Sequence, residues 1–163
     1  MFDIILTIVS AICTVVSLIG AYKSIKYYKK SKQLTVYANT NVSLVEVQKI
    51  IATFTEILKL ANTARSQRGT NLAKQLATHG EGIRDSINVL REKLSVEDFK
   101  LIEGQLSSRE IKVEAYIDSF ISGDILTEGK LAIDYKFNLC QQKFYNIQQI
   151  LKKRLEEVEE KLS

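Results

Sequence analysis

The sequence predicts an all-α protein in which one N-terminal transmembrane helix precedes a cytoplasmic helical bundle, with the chains assembled as a homo-oligomer. Three observations support this fold class. The 163 residues include no proline, and its absence favours long uninterrupted helices over turn-rich β structure. Apolar residues recur at spacings of three and four through most of the chain, as in helices with one buried face. An apolar run also opens the sequence.

The apolar run from Phe2 to Tyr22 has the length of a membrane span. At about 1.5 Å per residue it rises roughly 30 Å, which is the thickness of a bilayer core. A cleaved signal peptide is not expected, because the N-terminus carries Asp3 and no basic residue. Residues 1–33 are therefore assigned to a transmembrane helix with a basic stalk, and residues 34–163 to the bundle domain.

Lysines cluster directly after the apolar run. Because basic residues favour the cytoplasmic side of a membrane, they predict a short N-terminus outside and all later residues in the cytoplasm. The expected location is the bacterial inner (plasma) membrane, crossed once. Four of these side chains are expected to contact anionic lipid headgroups: Lys23, Lys26, Lys29 and Lys30.

Small and polar residues within the run fall on one helical face, at alternating spacings of four and three: Asp3, Thr7, Ser10, Thr14 and Ser17. Such a face lets the helices of several copies approach closely and hydrogen-bond to one another. In a ring of copies it also lines a narrow path for ions. The alternative is that each hydroxyl bonds back to its own helix, as is common in single spans.

The first half of the bundle contains two ambiguous boundaries. Residues 34–42 are rich in β-branched residues and asparagine, which indicates a connector. Ser43, followed by Glu46, forms a capping box that predicts a helix start.

Apolar spacing then continues in phase, so either one helix covers Ser43–Leu94 or the chain breaks within that range. Glycine costs about 1 kcal/mol inside a helix, and two glycines stand close together in this segment. We therefore expect a break or kink near Arg68–Asn71 or at Gly80–Gly82.

The second half of the bundle shows clearer boundaries. Ser95 predicts one helix start, and Ser107 with Glu110 predicts another. Residues 122–124 indicate a turn. The last helix is expected over about Thr127–Leu162, with one apolar stripe facing the core: Ile133, Phe137, Cys140, Phe144, Ile147, Leu151, Val158 and Leu162.

The sequence contains no arrangement typical of an enzyme. It has no phosphate-binding glycine loop, nucleophile elbow or zinc-protease motif. Its single histidine, His79, cannot build a histidine-based metal site, and neither Cys13 nor Cys140 has a second ligand at metal-binding spacing. We predict no catalytic residues, no metal and no cofactor.

Residues 57–80 carry four basic side chains, several neutral amides and no acidic residue. Guanidinium forks and amides suit phosphate oxygens, and a symmetric oligomer repeats such a face around its axis. We therefore predict that a nucleotide or single-stranded nucleic acid binds at Arg65, Arg68, Asn71 and Lys74. The alternative is a solvated helix face whose charges pair with acidic residues of neighbouring helices.

This layout resembles the small single-span membrane effectors of bacterial anti-phage defence, and is most similar to the membrane component of Hailong-type systems. The resemblance rests on the span Phe2–Tyr22, the lysine segment Lys23–Lys32 and a helical remainder. It covers the chain as an architecture and transfers no residue roles. It implies a helical oligomer whose pore is kept closed by a nucleic-acid ligand from a partner nucleotidyltransferase, which we expect to be encoded nearby.

The leading functional hypothesis is a homo-oligomeric membrane effector, such as a tetramer, in bacterial antiviral defence. Its pore or ion channel would be gated by a phosphate-bearing ligand bound to the helical bundle. The alternative is a membrane-tethered adaptor that presents the long C-terminal helix to a protein partner. A third hypothesis is a membrane-perturbing toxin that needs no ligand.

Overall fold

The computed structural model describes residues 2–63, 70–127, 130–131 and 133–162, with side chains from residue 13 onward except those of residues 63, 70 and 130. Besides its five helices, the described part of the chain contains one short antiparallel hairpin, an isolated β-bridge between Ser107 and Lys112, and short connections. This confirms the all-α class and the helical bundle. Its elements follow in chain order: α1 (Phe2–Thr63), α2 (Thr70–Lys93), α3 (Val96–Leu106), α4 (Val113–Ser122), β1 (Leu126–Thr127), β2 (Lys130–Leu131) and α5 (Tyr135–Glu160).

The first helix, α1, is uninterrupted over 62 residues, and at the usual rise it is about 90 Å long. The predicted connector over residues 34–42 is therefore wrong. β-Branched residues lower helix propensity only slightly, and packing of the helix overrides that cost. The predicted helix start at Ser43 is also wrong, because Ser43 lies inside α1 and is fully buried.

The predicted single-pass location in the inner membrane is wrong. Within the described residues, no helix combines the length and the apolar character that a bilayer crossing requires. Only ten of the side chains that the structure describes precede Lys23 on α1, whereas a bilayer crossing needs about 20 predominantly apolar residues. The predicted pore depends on such a span.

The bundle is organised around α1, which packs against α2 and α5. In turn, α4 packs on α2, and α3 packs on α5. The Phe54 ring of α1 lies at the centre of a buried aromatic cluster, with ring centroids 5.2 Å from Phe137, 5.8 Å from Phe144 and 6.2 Å from Phe120. These four fully buried rings join α1, α4 and α5 into one core.

Between Ser43 and Leu94 the structure describes α1 as far as Thr63 and α2 from Thr70. The predicted break near Arg68–Asn71 falls largely outside the described residues and stays a prediction. No break occurs at Gly80–Gly82, since α2 continues through both glycines. Gly80 is buried against α4, where a Cβ atom would lie 2.7 Å from Cγ1 of Ile121. The glycine therefore permits close helix packing and does not end the helix.

The later boundaries are partly as predicted. Ser95 caps α3, because its Oγ accepts a hydrogen bond from the backbone N–H of Asp98. The predicted helix start at Ser107 is wrong, since that residue ends α3 and α4 begins at Val113. The last helix begins at Tyr135 and not near Thr127, because Thr127 belongs to the hairpin.

Candidate interaction surface on the first helix

The N-terminal half of α1 extends away from the bundle. Every side chain from residue 13 to residue 32, here called the arm, is exposed. Large apolar side chains recur along it at spacings of three and four: Val15 is 55% exposed, Leu18 65%, Tyr22 71% and Ile25 56%. These four residues, here called the arm stripe, lie on one side of the helix. An uncovered apolar stripe of this kind marks an interaction surface.

The arm stripe is continuous with the face of α1 that forms the core of the bundle. The same spacing leads from Ile25 through Lys29, Lys32 and Val36 to the buried side chains Ser43, Val47, Ile50 and Phe54. Along its C-terminal half this face is covered by α2 and α5. Along the arm, no described residue covers it.

A groove of about 520 Å³ lies where the arm joins the bundle. One wall is α1 between Tyr28 and Thr40, and the other consists of residues 92–98 from the end of α2 and the start of α3. The walls combine apolar groups from Val36 and Leu94 with hydroxyl and amide groups and with four charged side chains: Lys32, Glu92, Lys93 and Asp98. The groove therefore marks the point at which α1 passes from an uncovered to a covered helix.

Polar groups fill the end of the core beside this groove. Arg154 of α5 donates from Nε to Oδ1 of Asp98 at 2.6 Å, and Ser95 Oγ donates to Oδ2 of the same carboxylate at 2.8 Å. Because Asp98 is only 4% exposed, these two hydrogen bonds replace the contacts with water that its carboxylate oxygens lose on burial.

Ser43 lies on α1, one helical turn after Asn39 of the groove wall, and its side chain is buried. Among the described residues, Ser43 Oγ is the one buried polar side-chain atom without a hydrogen-bond partner.

A second polar contact stabilises α1 against α2 at the same end. Ser86 Oγ donates to Oε2 of Glu46 at 2.8 Å, and Lys49 Nζ donates to Oε1 at 2.7 Å. The hydrogen bond from Lys49 is the main cause that lowers the pKa of Glu46 below its usual value of 4.5, against a smaller opposing effect of burial. The carboxylate is thus held charged where α1 enters the bundle.

The residues of the predicted polar stripe are only partly described. The side chains of Asp3, Thr7 and Ser10 lie outside the described residues, whereas Thr14 and Ser17 are exposed on the arm. They flank the arm stripe and do not coincide with it. The lysines predicted to contact headgroups, Lys23, Lys26, Lys29 and Lys30, are also exposed on the arm, and that contact stays a prediction.

The predicted ligand site is also only partly described. Arg65 and Arg68 lie outside the described residues, and Asn71 and Lys74 are exposed on α2. Phosphate binding by these four side chains therefore stays a prediction. The described residues contain no cluster of three or more histidine, cysteine or carboxylate side chains arranged to hold a metal ion.

The sequence does not predict the groove. Its pattern over residues 34–42 predicts a connector, and part of the groove wall on α1 lies there, although the spacing from Ile25 through Lys32 and Val36 to Ser43 is typical of a helix. Its second wall has no signal in the sequence, because residues 92–98 reach α1 only through the packing of α2.

The comparisons with known proteins do not identify this arrangement. No protein-family model, curated protein or solved structure matches the chain.

Proposed function

We propose that this protein is a helical assembly protein whose copies associate through the arm of α1. The observation that supports the proposal is the uncovered arm stripe of Val15, Leu18, Tyr22 and Ile25, which continues the core face of the same helix. Burial of one such side chain stabilises a complex by about 1.5–3 kcal/mol, so a paired stripe supplies a substantial driving force. The packing of α2 and α5 on α1 anchors the arm in the bundle.

In this proposal the arm, and not the C-terminal helix α5, is the element that binds a partner. The apolar side chains of α5, including Phe137, Phe144 and Leu151, lie inside the core of the same chain. They are not accessible unless the bundle opens. The arm stripe, by contrast, is exposed while the bundle stays intact.

The proposal is tested by sedimentation velocity on the full chain over a range of concentrations. We expect concentration-dependent self-association of the wild type. The double variant Leu18→Asp with Ile25→Asp places two charges on the arm stripe and is expected to lower the association constant by 100-fold or more, equivalent to about 3 kcal/mol.

A matched control places the same two charges seven residues apart on another face of the arm. Ser17→Asp with Ser24→Asp alters exposed polar positions outside the stripe and is expected to keep near wild-type association. Circular dichroism verifies that both variants stay helical. A wild type that is monomeric at high micromolar concentration, or equal effects of the two variants, contradicts the proposal.

A further inference from the structure

We infer that two copies pair with their arms antiparallel, so that the N-terminal turns of one α1 enter the groove at the base of the other copy's arm. This inference rests on the proposed self-association and adds its geometry. It assigns the groove between residues 28–40 and residues 92–98 to one occupant, a second copy of this chain.

The continuity of the α1 face supports a helix as the occupant. Inside the bundle, the face that carries Val47 and Phe54 is covered by α2 and α5, and both partners are helices. At the groove, residues 92–98 form only one wall, so the covering of α1 is incomplete. A helix that lies along the arm stripe and ends in the groove covers the remaining part of this face of α1. The contact is then helix against helix, as it is where α2 and α5 pack on α1.

The distribution of charge supports the antiparallel direction. Between Asp3 and Glu46 the sequence has no acidic residue, while five lysines lie at positions 23–32. Two of them, Lys29 and Lys32, continue the line of the arm stripe. In a parallel pair these lysines would face their own copies across the contact, with no acidic side chain from either arm to compensate them.

Antiparallel pairing removes this repulsion. It places Lys29 and Lys32 of one arm opposite the apolar N-terminal half of the other, and the lysine segments then lie at opposite ends of the contact. The methylene stems of the lysines can rest on apolar surface while the ammonium groups stay in solvent. The apolar stripes still meet in the middle.

The length of α1 ahead of the bundle fits this register. From Phe2 to Ala38, α1 rises about 54 Å. An antiparallel overlap that sets Phe2 of one copy opposite Ala38 of the other places Val15 opposite Ile25, and Leu18 opposite Tyr22. The N-terminal turn of each helix then lies level with Val36, which lines the groove.

Disulfide cross-linking distinguishes the two directions. All variants carry Cys13→Ser. The Val15→Cys variant by itself reports parallel pairing, because two copies of position 15 meet only in a parallel pair. A mixture of Val15→Cys and Ile25→Cys chains reports antiparallel pairing. Cys140 does not interfere, because it is fully buried. We expect rapid cross-linking in the mixture, and at least tenfold slower cross-linking for either single variant alone.

Occupation of the groove is tested with two tryptophan variants. Thr35 lines the groove, so Thr35→Trp fills part of it, whereas Leu34 is exposed and outside its lining. We expect Thr35→Trp to weaken dimerisation by at least tenfold and Leu34→Trp to leave it within about twofold of the wild type.

The outcomes separate this inference from the proposed function. Self-association with rapid Val15→Cys homodimer cross-linking overturns the antiparallel direction, and equal effects of the two tryptophan variants overturn the assignment of the groove to a second copy. Either result leaves the assembly function standing. A wild type that does not associate overturns both.

Discussion

Arg154 of α5 and Asp98 of α3 form a hydrogen-bonded ion pair at 2.6 Å, and the carboxylate is almost completely buried. Ser95 binds the second carboxylate oxygen, while the N–H of Asp98 donates to Ser95 Oγ. The first turn of α3 is thereby joined to α5 beside the groove. Since α3 packs mainly on α5, this pair helps to set the position of the groove wall.

Arg154→Met is expected to destabilise the protein by about 3 kcal/mol, because it leaves the Asp98 carboxylate buried without its counter-charge. Urea unfolding followed by circular dichroism measures the effect. The matched control is Arg84→Met, whose partner Asp118 is exposed, and we expect it to cost less than about 1 kcal/mol. Equal losses in the two variants would show that burial of Asp98 does not determine the cost.

Gly80→Ala and Gly82→Ala are expected to change stability in opposite directions. A Cβ at position 80 would lie 2.7 Å from Ile121 Cγ1 and 3.1 Å from Phe120 Cβ, so the substitution pushes α4 away from α2 and costs about 1–3 kcal/mol. At position 82 nothing lies within 4 Å, and alanine should stabilise the helix by up to about 1 kcal/mol. Thermal unfolding compares the two, and stabilisation by both would refute the close packing at Gly80.

Stability is expected to fall in acid partly because of Glu46. Its folded-state pKa lies below the usual 4.5, so its contribution is complete above pH 4.5 and is lost as the pH falls through the lower folded value. Glu46→Gln should therefore be less stable than the wild type at neutral pH, and the difference should shrink at lower pH. Urea unfolding at several pH values tests this. Glu81→Gln, on an exposed position of α2, serves as the control. A difference that does not change with pH would exclude this role of Glu46.

The two cysteines are expected to differ strongly in reactivity. Cys13 is exposed on the arm, whereas Cys140 is fully buried in α5, and burial raises the pKa of Cys140 to about 12. A thiol reagent should modify one thiol rapidly in the folded protein and the second only after denaturant is added. Rapid modification of both thiols without denaturant would mean that α5 does not pack as described.

Much of the core could be predicted from apolar spacing. The pattern in the last helix predicts that Phe137, Phe144 and Leu151 face the core, and all three are buried. The spacing after residue 70 likewise predicts the buried side chains of α2 and of the residue directly after it: Leu72, Leu76, Ile83, Ile87, Leu90 and Leu94. These predictions succeed because a helix buries one face, and the repeat of that face is local information.

Several helix boundaries could not be predicted in this way. Ser43 with Glu46 has the pattern of a capping box, yet Ser43 lies in the middle of α1 and Glu46 binds Lys49 and Ser86. Gly80 has the pattern of a helix break, yet α4 packs closely against it. In both cases contacts with a distant part of the chain outweigh local preferences of about 1 kcal/mol.

For this protein, the amino-acid order by itself determined the helical class, the apolar face of each helix and the lysine-rich segment without acidic neighbours. Only the tertiary structure decided which part of the α1 face is covered and which part is left open. Coverage depends on how far α2 and α5 extend along α1 once they are packed, and that is a relation between residues distant in sequence. The periodicity of α1 is similar inside the bundle and along the arm, so it does not distinguish a core from an interaction surface.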